Sequence, residues 1–131
     1  MKLSSKTHYG LMACNILAEN FGKEPVPASE LENRISVSGK YLEKIMRMLS
    51  ARGIVSASRG ASGGYFLSLS PDKIKIGDIV RSLENVEIIG CVAKNGTCKH
   101  CPSSRVWKKL YNGINELLDS VTLQQMLDGS V

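Results

Sequence analysis

The stretch that most restricts the possible folds runs from residue 27 to residue 69. Residues 28–33 predict a short helix anchored by Leu31, with Pro27 at or near its first turn. Ile35-Ser36-Val37 reads as a tight turn, and Ser38 as the cap of a longer helix. Along that helix Leu42, Ile45, Met46 and Leu49 recur at helical spacing, and Gly53 marks its end. Residues 54–58 predict a strand, Arg59-Gly60-Ala61-Ser62-Gly63-Gly64 a glycine-rich turn, and residues 65–69 a returning strand. Short helix, tight turn, Ser-capped helix and β-hairpin together describe a winged helix-turn-helix, a unit whose second helix enters a DNA major groove. The glycine-rich turn is not a nucleotide cradle. It joins two strands, precedes no helix and lacks the Gly-Lys-Ser/Thr ending that such a cradle uses.

Charge accumulates in the same place. Between residues 34 and 59 stand Arg34, Lys40, Lys44, Arg47, Arg52 and Arg59, against a single acidic residue, Glu43. The local excess of five equals the formal net charge of +5 for the whole chain. Basicity concentrated on the predicted reading unit points to double-stranded DNA, whose phosphates Lys and Arg attract in a salt-dependent way. The bland alternative is a merely solvated helix face. Candidate DNA contacts are Ser38, Lys40, Tyr41, Glu43, Lys44 and Arg47 on the helix, with Arg59 and Gly60 on the wing. Glu43 is out of place among cations; a carboxylate there can accept from cytosine N4 and so reject other bases. Arg59 suits a narrow minor groove, where the negative potential is deepest. With two Phe, one Trp and four Tyr, a stacking platform for single strands is not expected.

The flanking segments complete a mostly α chain. Ser4 or Ser5 can cap a first helix along which Leu11, Cys14, Ile16, Leu17 and Phe21 recur until Gly22. Cys14 on that apolar side reads as a small buried hydrophobe. Residues 23–27 read as a linker. After a turn at Ser70-Pro71-Asp72, Ile76, Ile79, Val80 and Leu83 predict a short amphipathic helix. From Pro102 or Ser103 a long helix carries Val106, Trp107, Leu110, Ile114, Leu117, Leu118 and Val121. A small winged domain cannot cover that stripe alone, so the simplest partner is a second copy of the chain. Thr122 with Gln125 is a capping-box pair for a last short helix.

Between the two amphipathic helices lie three of the four cysteines, Cys91, Cys98 and Cys101, with His100 among them, in a segment rich in Gly, Lys and Asn. Such a segment cannot bury a core of its own, and a metal or cluster would order it. No apolar run approaches a membrane span and the N-terminus has no secretory pattern, so a cytoplasmic location is expected. There, clustered cysteines bind metals or respond to redox state more often than they form structural disulfides.

These residues resemble the family of winged-helix transcription factors that includes the iron–sulfur cluster regulator and the nitric-oxide-sensing repressor. The resemblance covers nearly the whole chain. It is carried by Met1-Lys2-Leu3-Ser4, Tyr41-Leu42-Glu43-Lys44, Arg59-Gly60-Ala61-Ser62-Gly63-Gly64-Tyr65, the three cysteines, and Trp107 six residues after Cys101. It implies a dimer, base reading by Glu43, minor-groove entry by Arg59, and an iron–sulfur cluster on three cysteines and a fourth residue whose state sets DNA affinity. The cluster segment departs from the family pattern. Cys98-Lys99-His100-Cys101 is compact where members commonly have a wider gap, and the histidine expected three residues after the third cysteine is Ser104. Other members use a carboxylate early in the N-terminal helix, where this chain has His8. His8 is therefore the preferred fourth ligand, from the same or a partner chain, with His100 as the alternative.

The expected organisation is a winged helix-turn-helix domain over residues 1–84, a cluster-binding loop over 85–102, and a dimerisation helix with a short C-terminal helix over 103–131. The histidine ligand favours a two-iron over a four-iron cluster. Structural zinc suits the same donors, since Cys-x2-Cys is a zinc spacing, and a metal-free switch would pair Cys98 with Cys101 as a disulfide. A protein-binding winged helix is disfavoured by the basic segment. No nucleophile, base and orienting group stand out, so an enzyme is not expected.

Overall fold

The computed structural model describes residues 2–86 and 101–131. In chain order it contains α1 (Ser5–Glu19), α2 (Ala28–Ile35), α3 (Gly39–Ala51), β1 (Val55–Ser58), β2 (Gly64–Leu67), a 3-10 turn (Pro71–Lys73), α4 (Ile76–Leu83), α5 (Ser104–Asp119) and α6 (Leu123–Asp128). The expected mostly α architecture with a hairpin wing is the one found.

The reading unit forms for the reasons its sequence supplies. The Ser38 hydroxyl accepts from the Tyr41 N–H at 3.2 Å, satisfying one of the free donors at the start of α3. Leu42, Ile45, Met46 and Leu49 are its buried face, and Arg52 and Gly53 end it. Ser36, in the left-handed region at φ 56°, turns the chain sharply between α2 and α3. The hairpin is antiparallel, pairing Val55 with Leu67 and Ser58 with Gly64. Val55 and Leu67 point into the core, whereas Phe66 and Leu69 are exposed.

Residues 23–27 do more than link. Val26 and Tyr65 exchange backbone hydrogen bonds of 2.9 and 2.8 Å, so Val26 adds a third partner to the hairpin and seats the wing on the body. The seat is tight. A Cβ on Gly64 would overlap the Val26 carbonyl and lie 2.8 Å from the Pro27 nitrogen.

The core lies among α1, α2, α3, the hairpin and α4, with Ala13, Cys14 and Leu17 of α1 at its centre. Burial pushes the Cys14 thiol up to about 12, so it stays protonated and acts as packing. Two expectations for α1 are corrected. Phe21 is exposed, because the helix stops at Glu19 and the chain turns through Asn20 and Gly22 before the stripe reaches residue 21. Ser4 occupies the cap position, but its side chain makes no capping bond. The Glu84 carboxylate takes that role from a distance, accepting from the Ser4 N–H at 2.6 Å and the buried Thr7 hydroxyl at 2.9 Å.

The C-terminal helices are tied to the winged unit. Arg81 of α4 donates to Asn115 Oδ1 at 2.9 Å and also pairs with Asp119, both on α5. The Ile76 N–H donates to the Val121 carbonyl, and the Leu123 N–H to the Ile74 carbonyl, each at 2.8 Å. The Thr122–Gln125 capping box forms as the sequence indicates. Leu123 is completely buried and belongs to the main core, with Met126 and Leu127 packed against it. Among the described residues, no helix is long and apolar enough to cross a membrane.

Candidate nucleic-acid interface and sensor segment

The exposed face of α3 presents Lys40, Glu43, Lys44 and Arg47, with Ser38 just before it and Arg59 and Gly60 exposed on the wing. The face follows from the helical period: Leu42, Ile45, Met46 and Leu49 turn inward, so residues 40, 43, 44 and 47 turn outward. Gly60 has φ 109°, a backbone conformation that glycine adopts without steric cost, and it turns the chain just after Arg59.

Two residues of the basic segment are engaged within the chain. Arg34 pairs with Glu19 of α1 at 3.0 Å, which raises its pKa, so its charge is partly answered before any DNA arrives. Arg47 Nη2 donates to Glu43 Oε1 at 3.0 Å, one turn apart on the open face of α3. Tyr41, expected at the interface, is half-buried, and its ring meets that of Tyr9 edge-on at 6.0 Å. It ties α1 to the first turn of the reading helix. Tyr65 reaches the same neighbourhood from the wing. Its phenol is raised chiefly by partial burial and next by the charge of Glu43, with Arg47 acting in opposition.

Of the proposed cluster ligands, Cys91, Cys98 and the alternative His100 lie outside the described residues. Cys101 stands just before α5, partly exposed, with its Sγ 3.2 Å from the Ser103 hydroxyl. Hydrogen bonds from the Ser103 side chain and then its backbone N–H, helped by that of Ser104, lower the thiol pKa. These groups stand at the opening of α5, whose partial positive charge acts in the same direction. His8 is exposed in the early turns of α1, its ring 5.5 Å from that of Tyr9. Among the described residues no three metal-binding side chains converge.

Sequence reasoning missed Glu84, which ends α4 and precedes the cysteine segment by a few residues. Its bonds to Ser4 and Thr7 hold its carboxyl below the ordinary value of 4.5. It fastens the beginning of that segment to the first turn of α1, the helix that carries His8. The only hint in the sequence was an acidic residue directly after an amphipathic helix, which by itself names no partner.

The expected dimer residues share one open surface. None of the residues of α5 is buried, and Val106, Leu110 and Leu117 are 56%, 46% and 71% exposed. Trp107, Ile114 and Val121 are half-buried. Beside them Ile76, Ile114, Leu117, Leu118, Val121 and Met126 line an apolar groove of about 430 Å³.

Comparison with known proteins accounts for the arrangement. Residues 3–129 match the Rrf2 family, described as iron-dependent transcriptional regulators. The chain is 33% identical to the HTH-type transcriptional regulator IscR of Aliivibrio salmonicida, over 97% of this chain and 77% of that one. It is 34% identical to the HTH-type transcriptional regulator CymR of Bacillus subtilis, over 96% and 89%. The solved structure of that CymR, named the global cysteine regulator, superposes with a TM-score of 0.79 over 98% of this chain and 97% of that one. T. potens IscR superposes with a TM-score of 0.80 at 37% identity, over 100% and 89%. The chain therefore belongs to the Rrf2 family: it is a DNA-binding transcriptional regulator and not an enzyme.

Proposed function

We propose that the chain acts in the cytoplasm as a homodimer whose affinity for double-stranded operator DNA is set by an iron–sulfur cluster on Cys91, Cys98, Cys101 and His8. The observation that carries this reading is the seat of Cys101, a partly exposed thiol held 3.2 Å from the Ser103 hydroxyl at the start of a helix whose apolar stripe lies open. Three thiolates and an imidazole suit a cluster, with two-iron favoured over four-iron and His100 the alternative to His8. When bound, the cluster supplies iron–thiolate bonds that respond to redox state, nitric oxide, oxygen or iron supply. The family's description as iron-dependent and the relatives named IscR support the same reading.

The chain's own contacts supply the coupling. Cys101 bears on α5, Glu84 ties the other end of the segment to α1, and Tyr9 on Tyr41 connects α1 to the reading helix. A change at the cysteines thus reaches both the dimer face and α3. A coupling of about 1–3 kcal/mol changes DNA affinity by roughly 5–150-fold, enough for a transcriptional switch.

The test is anaerobic purification with an absorption spectrum and iron, zinc and acid-labile sulfide counted per chain. Matched iron and sulfide are expected, and Cys98→Ser is expected to abolish both while the fold and dimer persist. A Cys98→Ser protein still fully loaded would remove the core of the reading. The partly exposed free Cys101 and the relative named a global cysteine regulator also favour a second reading, a Cys98–Cys101 disulfide switch. A metal-free protein that changes mass under oxidant would establish it, and colourless protein with zinc would make the site structural. Separately, Arg59→Ala is expected to weaken operator binding on the order of tenfold without altering metal content. Unchanged affinity in a filter-binding titration would take the wing out of the interface.

A further inference from the structure

We propose that Arg47 determines sequence specificity by acting through Glu43, holding the carboxylate in the one position from which it reads a base. The proposal rests on the reading of α3 as the groove-entering helix and of Glu43 as its base-reading residue. Arg47 is a positioning residue in this scheme.

The geometry is that of a supported arm. A glutamate on an open helix face has three rotatable bonds and, unsupported, sweeps a wide arc or folds back from the DNA. Arg47 sits one turn further on and donates to Glu43 Oε1 at 3.0 Å, while Oε2 remains available to accept from a cytosine N4. On the wing side stands Tyr65, whose backbone is fixed by its two bonds to Val26. The charge of Glu43 is felt at its phenol. The carboxylate is therefore held from one side by the guanidinium one turn along the helix.

Charge adds a second reason. Bringing a carboxylate into the negative potential of DNA costs affinity, and an adjacent guanidinium offsets that cost without occupying the second oxygen. The pair is open to water, with side chains 76% and 63% exposed, so it contributes little to the stability of the free protein. Its worth lies in the complex, where water is displaced. A rival assignment gives Arg47 to a phosphate, like its neighbours Lys40 and Lys44. That role predicts lost affinity at every sequence alike.

The experiment begins with operator selected in vitro by the wild-type protein. Fluorescence-anisotropy titrations then follow against duplexes carrying each of the four bases at every contacted position. Glu43→Ala locates the position it reads, where preference should collapse. At that position Arg47→Ala is expected to reduce a discrimination of about tenfold to about twofold, leaving preferences elsewhere intact. Arg47→Lys, which keeps the charge but loses the fork, should restore part of it. The proposal is overturned if Arg47→Ala weakens all duplexes equally and lowers the salt slope by about one with base preference unchanged. If Glu43→Ala relaxes no position, the base-reading role of Glu43 fails, and this inference with it. The exposure of Arg47 makes its removal harmless to folding, so the binding profile is a clean readout.

Discussion

Leu123→Ala is expected to destabilise the whole winged unit by about 2–5 kcal/mol and to lower the melting temperature on the order of 10 °C. The residue is five positions from the C-terminal end of α6, yet it is completely buried in the same core as Leu17, Ile45 and Ile79. Truncation removes apolar contacts and leaves a cavity that rigid neighbours fill only in part. The measurement is thermal unfolding followed by circular dichroism at one fixed protein concentration, because self-association shifts the midpoint. A midpoint within a degree or two of wild type would mean that α6 is a peripheral appendage. Operator binding should fall with the folded fraction.

Gly64→Ala is expected to cost about 1–3 kcal/mol and, more tellingly, to weaken operator binding beyond that loss. The added methyl meets backbone atoms of Val26 and Pro27, which cannot swing aside as the end of a side chain would. Either the Val26–Tyr65 pairing opens or β2 shifts, and both move the tip that carries Arg59 away from its seat. The readouts are chemical denaturation and operator titration under conditions where the variant is fully folded. Wild-type affinity in the folded variant would show that Val26 does not position the wing.

Local features of the sequence translated directly into structure. The stripe of Leu42, Ile45, Met46 and Leu49, the Ser38 cap and the Thr122–Gln125 box depend on neighbours three or four residues apart, and period and side-chain chemistry carry such information. The errors came where a helix stopped early or a partner was distant. Phe21 kept the period of α1 but fell beyond its end. Arg34 entered the basic segment as a free charge, and only the packing of α2 beside α1 brings it to Glu19. Glu84 with Ser4, Val26 with Tyr65, and Arg81 with Asp119 join residues 38 to 80 positions apart, and nothing in their immediate neighbours announces the pairing. At the candidate site the residue types were legible, namely cations, a carboxylate and thiols. The way they are held, Glu43 by Arg47 and Cys101 by Ser103, was not.

The pinning of α5 at its C-terminal end gives the molecule a lever. Arg81 and the Ile76–Val121 bond fix the fulcrum, and Cys101 stands at the opposite end. The helix between them is sixteen residues long and spans about 24 Å. A displacement of about 2 Å at Cys101 is then a tilt of roughly 5° about the fulcrum. In the proposed dimer, reading helices set about 34 Å apart would be carried out of register by some 3 Å for such a tilt. That is close to one base step of about 3.4 Å, so under the proposed switch a change no larger than one lost bond at a cysteine would misalign two helices with two successive grooves.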